Sequence, residues 1–135
     1  MARQHLVPYI NFQGRAREAM EFYQRVLGGS LQMYAPGEQG QPRPAGPGDR
    51  IMYARLEADG VVIVASDGNP SYPATVGDHI GLQIGGTDEP WLRAVFDGLA
   101  DGGQVKMPLT KAPWGTSGWL SDRFGINWNV DVEAR

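Results

Sequence analysis

Residues 15–29 read RAREAMEFYQRVLGG and residues 87–103 read TDEPWLRAVFDGLADGG. In the first stretch Ala16, Ala19, Met20, Tyr23, Val26 and Leu27 make one apolar stripe at helical spacing. In the second, Trp91, Leu92, Val95, Phe96 and Leu99 do the same. Both stripes run into a glycine pair, Gly28-Gly29 and Gly102-Gly103, which takes a left-handed C-terminal cap at no steric cost. Thr87 stands where a helix N-cap is expected, with Asp88 and Glu89 in the first turn to meet the positive end of the helix dipole. An offset of about 73 residues lays Ala19 on Leu92, Phe22 on Val95, Tyr23 on Phe96 and Val26 on Leu99.

The repeat extends beyond the helices. Val7–Phe12 is β-rich and ends at the turn signal Gln13-Gly14, and Leu31–Tyr34 resumes as a strand. Residues 35–49 hold Pro36, Pro42, Pro44 and Pro47 amid repeated glycine, which predicts a mobile loop rather than a paired strand. Ile51–Glu57 and Val61–Ala65 form a hairpin across Ala58-Asp59-Gly60, and residues 66–78 are a second loop. His79–Ile84 then opens the pattern again. Val105–Met107 follows the second helix, residues 108–117 read as a loop, and a last hairpin joins Trp119-Leu120 to Ile126–Val132. Strand, helix, glycine stop, strand, loop and hairpin thus occur twice. The order predicts one α+β domain over residues 1–135, built from two βαβββ half-modules at about 5–66 and 78–133. Two units are too few for a solenoid, so the repeat must close on itself or on a partner chain.

Composition bounds the function. A chain of 135 residues, 41% hydrophobic and 20% charged, has enough apolar surface for a core without staples. A net charge of −3 with scattered basic residues argues against nucleic acid and anionic membrane. The absence of cysteine removes disulfides, thiolate metal sites and a cysteine nucleophile together. No signal-type segment and no bilayer-length apolar run is apparent, so the expected location is cytoplasmic. Walker-type, GxGxxG, HExxH and GxSxG patterns do not occur.

Strand alternation sorts the candidate residues by face. If Ile10 and Phe12 face a helix, Tyr9 and Asn11 face away; Ile80, Leu82 and Ile84 likewise leave His79, Gly81 and Gln83. Met52, Ala54 and Leu56 leave Tyr53 and Arg55, and Ile126, Trp128, Val130 and Val132 leave Asn127, Asn129 and Asp131. A concave surface lined by Tyr9, Asn11, Tyr53, Gln83, Asn127 and Asn129 suits a small polar ligand. Trp114, between Pro113 and Gly115, is the aromatic that core periodicity explains least, and it fits a ligand stack, a cavity plug or a dimer seam. Trp91, Trp119 and Trp128 fit core or interface stripes.

The order βαβββ–βαβββ resembles that of the vicinal oxygen chelate (glyoxalase/bleomycin-resistance/dioxygenase) superfamily. The closer similarity is to its PhnB-like branch. It is carried by Pro8-Tyr9-Ile10-Asn11-Phe12, by Glu18-Ala19 and Phe22-Tyr23 ahead of Gly28-Gly29, and by Ile51-Met52-Tyr53-Ala54-Arg55-Leu56. Gly103-x-Val105-x-Met107-Pro108-Leu109, Trp114-Gly115 and Asp122-x-Phe124-Gly125-x-x-Trp128 complete it. The resemblance implies curved mixed sheets enclosing a cavity, and a homodimer. In enzymes of the superfamily it also implies a divalent metal held by a His on each module's first strand and a carboxylate on the last.

Carried over residue by residue, those three positions fall on Tyr9 (or Pro8), His79 and Asn129, and Tyr53 stands where the branch commonly has His. One imidazole with a phenol and a neutral amide is a poor set for a catalytic divalent ion, so no metal and no other cofactor is expected. His79 is the candidate catalytic residue, as general base or substrate contact. An improvised site of His5, His79 and Asp131 is the weaker option. Methyltransferase-type names occur in this branch, but nothing in the sequence resembles a methyl-donor glycine loop. Three function classes remain. The first is a small-molecule binding protein without metal catalysis. The second is a divergent lyase, isomerase or ring-cleaving enzyme, metal-dependent or using His79. The third is a structural or interaction dimer with a filled cavity.

Overall fold

The computed structural model describes residues 4–134. The chain divides between Ala74 and Thr75 into two compact units. The first contains β1 (Tyr9–Asn11), α1 (Ala16–Leu27), β2 (Ser30–Pro36), β3 (Pro42–Pro44), β4 (Tyr53–Ala58) and β5 (Val61–Ser66). The second contains β6 (Gly81–Gly86), α2 (Glu89–Ala100), β7 (Gln104–Ala112), β8 (Gly115–Ser121) and β9 (Asn127–Glu133). Each unit is one mixed sheet with one helix. The strand orders are β1-β5-β4-β2-β3 and β6-β9-β8-β7. The pairs β1–β5 and β6–β9 are parallel and the others antiparallel. With β3 set aside, the two orders are the same, so the sequence repeat is a repeat of topology.

The helices cover one face of each sheet. α1 buries Ala16, Ala19, Met20, Phe22, Tyr23 and Leu27 over a sheet face that buries Ala54, Leu56, Ile63 and Ala65. Phe22 belongs to the buried set and Val26 only half so, a small rotation of the predicted stripe. α2 buries Leu92, Val95, Phe96 and Leu99 over Ile84, Trp128 and Val130. Burial of each large apolar side chain contributes about 1.5–3 kcal/mol, so these two layers supply most of the cohesion. Gly28, at φ +79°, ends α1 with its N–H donating to the Gln24 carbonyl at 2.8 Å.

Four expectations are corrected. Residues 42–44 of the expected loop pair with Tyr34–Pro36 as β3. An edge strand needs few N–H donors from its open side, so two prolines fit there. Residues 108–117 are not a loop: β7 and β8 are one hairpin turning at Pro113-Trp114, with Ala112 opposite Gly115. Register shifts between Val105 and Met107 and between Met107 and Thr110 absorb Pro108, which cannot donate to a regular ladder. The N-cap of α2 is Asp88, whose carboxylate accepts from Trp91 N at 3.2 Å, rather than Thr87. Finally, β6 starts at Gly81, so His79 and Ile80 precede it and Ile80 is 74% exposed instead of facing the helix.

Two aspartates tie loops to strands. Asp67 accepts from Ala16 N at 2.9 Å, capping α1 from across the sheet, and from Ile51 N at 2.7 Å. Asp122 accepts from Phe124 N at 2.9 Å, Ile126 N at 3.1 Å and Trp128 Nε1 at 2.9 Å. Among the described residues no helix is long and apolar enough to cross a membrane.

Candidate functional site

The face of the first sheet away from α1 carries Tyr9 and Asn11 on β1, Val64 and Ser66 on β5, Tyr53 and Arg55 on β4, and Gln32 and Tyr34 on β2. Pairing registers place Gln32, Arg55, Val64 and Tyr9 in one row across four strands. Tyr9 shares a 2.5 Å hydrogen bond with the buried Ser66 hydroxyl. Tyr53 stands opposite Tyr34, ring centroids 6.3 Å apart, and its hydroxyl accepts from Arg55 Nη1 at 3.5 Å. Arg55 also binds Glu57 at 2.7 Å. These bonds, to Tyr53 first and then Glu57, hold the guanidinium's pKa above its ordinary value.

The open face of the second sheet is more sharply defined. Gln83, Asn129, Trp119 and Met107 form one row across all four strands. Asn129 Nδ2 donates to Gln83 Oε1 at 2.9 Å. Trp119, whose spacing predicts a core or interface position, is 54% exposed beside that pair. The sequence signal is alternation: with the apolar Leu120 on the helix-covered face, Trp119 must point the other way. Asn127 lies one row away and donates to the Asp78 carbonyl at 3.1 Å. Asp131 lies on the opposite flank, in register with Gly85 and Ser117.

The proposed residues do not all fall on these faces. His79 is exposed in the bend ahead of β6. Trp114 occupies the tip of the β7–β8 hairpin, 70% exposed and off the sheet face. Asn11, at the end of the first sheet's open face, also lines a cleft of about 350 Å³ in the first unit with Gln13, Arg50 and Asn69. A second cleft, of about 430 Å³, lies in the second unit between the start of α2 and the β7–β8 hairpin.

The superfamily's metal does not fit the residues at its positions. The Tyr9 hydroxyl is engaged by Ser66, and the Asn129 amide is paired with Gln83 and carries no charge. His79 stands outside the strand that should aim it. Among the described residues no three His, Asp or Glu side chains gather as a ligand set.

One strand order repeated in two helix-backed mixed sheets is a glyoxalase/bleomycin-resistance-type fold. Within it the chain belongs to the PhnB-like family whose model, described as 3-demethylubiquinone-9 3-methyltransferase, matches residues 4–131. The Escherichia coli protein YjdN is 30% identical over 141 residues, covering 94% of each chain. Protein PA1353 from Pseudomonas aeruginosa is 36% identical with a TM-score of 0.82, over 96% of this chain and 98% of its own. A PhnB protein from Bacillus cereus is 25% identical with a TM-score of 0.70, over 96% and 99%. A glyoxylase/bleomycin resistance protein/dioxygenase domain from Frankia sp. EAN1pec, 14% identical with a TM-score of 0.60, shares the fold.

Proposed function

We propose that this protein binds a small polar molecule on the open face of its second sheet, without a catalytic metal. The supporting observation is the row Gln83–Asn129–Trp119. The Asn129–Gln83 bond consumes one donor and one acceptor. It leaves the Asn129 carbonyl oxygen and the Gln83 amino group as an acceptor and a donor held in fixed relation. Trp119 adds an exposed indole, which stacks on a flat ligand face. Fixed donors and acceptors beside an aromatic plane are the usual composition of a small-molecule site.

Methyl transfer, named in the family's description, is not part of this reading. The β1–α1 junction is Phe12-Gln13-Gly14-Arg15, with a single glycine and no glycine-rich loop to receive a methyl donor. Nor is base catalysis by His79, because that residue is exposed ahead of β6 rather than on the polar row.

The test is a thermal-shift and tryptophan-emission screen against a panel of small polar metabolites, run in a chelator. Hits are expected to bind without added metal and to weaken about tenfold or more in Asn129→Leu and Trp119→Ala. Binding that appears only with an added divalent ion, or that both variants leave unchanged, overturns the proposal.

A further inference from the structure

The cleft in the first unit lies at the carboxyl ends of the parallel pair β1–β5, where Asn11 and Ser66 are in register. Its polar lining comes from Asn11, Gln13, Arg50 and Asn69, and Pro70 and Pro73 add apolar walls. Its volume, about 350 Å³, is at the lower end of the roughly 300–1,000 Å³ range of small-molecule sites.

We infer that this cleft binds a small organic carboxylate with a short apolar body, Arg50 taking the carboxylate and the two prolines the body. Arg50 is exposed, and it donates from Nη2 to the Gly68 carbonyl. That bond fixes the guanidinium at the rim and leaves further N–H groups in the fork geometry that matches a carboxylate. Asp67 also lines the cleft, but its two carboxylate oxygens accept from Ala16 N and Ile51 N. Its charge is therefore turned toward the backbone, and the first amide of α1 is already satisfied.

Asn11 is held in the same way. Its Oδ1 accepts from Gln13 N at 2.8 Å, which leaves the amide N–H groups as donors. The side chain sits in space that a Cβ on residue 68 would occupy: one built there would meet Asn11 Nδ2 at 2.6 Å. Gly68 has φ +79°, so both its conformation and the Asn11 position require glycine. This site is in the first unit and shares no residue with the Gln83–Asn129–Trp119 row, so either proposal can fail alone.

The experiment is an amide NMR titration of the full chain with benzoate, with benzamide as the neutral counterpart and inorganic phosphate as the anion lacking an apolar body. Benzoate is expected to move the Gly68 and Asn69 backbone signals and the Asn11 and Asn69 side-chain amides. Benzamide and phosphate should each bind about tenfold or more weakly. Arg50→Gln should weaken benzoate about tenfold and leave benzamide unchanged, with Arg50→Lys recovering part of the loss. Arg50 is exposed, so an otherwise unshifted spectrum checks that each variant is folded. No benzoate binding, shifts at other residues, equal binding of benzoate with benzamide or phosphate, or an Arg50→Gln protein that binds benzoate as before would each overturn the inference.

Discussion

Asp122 and Trp128 are joined by a 2.9 Å bond from the indole Nε1 to the carboxylate, inside the second unit. Asp122 is only 4% exposed, and its other oxygen receives Phe124 N and Ile126 N. One carboxylate therefore shapes the β8–β9 turn and fixes the rotamer of the tryptophan beneath α2. This gives the sequence pattern Asp122-x-Phe124-Gly125-x-x-Trp128 its physical meaning. Asp122→Ala removes the acceptor of three donors at once, and we expect a loss of about 3–5 kcal/mol in urea unfolding. Trp128→Phe keeps most of the packing and should cost less. A loss below about 1 kcal/mol for Asp122→Ala would show that the turn holds without its carboxylate.

Asp67 plays a comparable part in the first unit through Ala16 N and Ile51 N. Arg15, the N-cap residue of α1, makes no side-chain cap bond, so the helix start relies on Asp67. Asp67→Ala is expected to destabilise by about 2–3 kcal/mol. Hydrogen exchange should then quicken first at the amino end of α1. Uniform quickening across the chain would argue against a local capping role.

What was legible in the sequence was what short-range periodicity encodes. The α1 and α2 stripes, their glycine stops and the Ile51–Ala65 hairpin come from side chains whose spacing matches one structure only. The features missed depend on distant partners. Nothing near Pro42–Pro44 signals that Tyr34–Pro36 will accept it as an edge strand. Asp67 lies in a loop until folding brings Ala16 to it, 51 residues away. Face assignment worked where a strand is long, as at Asn127–Asp131. Alternation does not extend to Ile80, because β6 starts at Gly81, two residues later than the His79–Ile84 pattern predicts. His79 lies in the same stretch ahead of β6, so strand alternation does not fix its face, and the proposed site rests on the strand residues Gln83 and Asn129 with Trp119 added.

The segment between β2 and β4 is held by an ion pair and by hydrogen bonds. Arg43 Nη1 contacts Asp49 Oδ2 at 2.9 Å, the same oxygen receives Gly46 N at 2.7 Å, and Arg17 Nη2 donates to the Gly46 carbonyl at 2.7 Å. The hydrogen bond from Arg43, and after it that from Gly46, lowers the Asp49 pKa from its ordinary 3.8. A lowered carboxylate pKa stabilises the folded loop above the unfolded value, and that contribution is lost as pH falls through the folded one. NMR titration should therefore place the Asp49 midpoint below 3.8. In Arg43→Gln the midpoint should rise toward the ordinary value, and the loop amides should exchange faster. An unchanged midpoint would mean that the pair is not formed in solution.

The metal question has the clearest scale. A catalytic centre of this type usually keeps three protein ligands and one open position. The superfamily's positions supply here the Tyr9 phenol bonded to Ser66, the His79 imidazole and the Asn129 carboxamide bonded to Gln83. No carboxylate among these three offsets the ion's charge, and two of them must give up existing hydrogen bonds to ligate. Both costs lower affinity. We therefore expect nickel, zinc, manganese or iron(II) to leave the melting temperature unchanged. A metal at a hundredfold excess over its dissociation constant would stabilise the fold by about 2.7 kcal/mol. In a domain of this size that amounts to a shift of several degrees. A shift of that order that vanishes in His79→Ala, and returns when His79 is restored, would reverse the conclusion and make a metal-dependent lyase or isomerase the leading reading. A shift that survives His79→Ala would point to surface carboxylates instead, and it should disappear as ionic strength is raised.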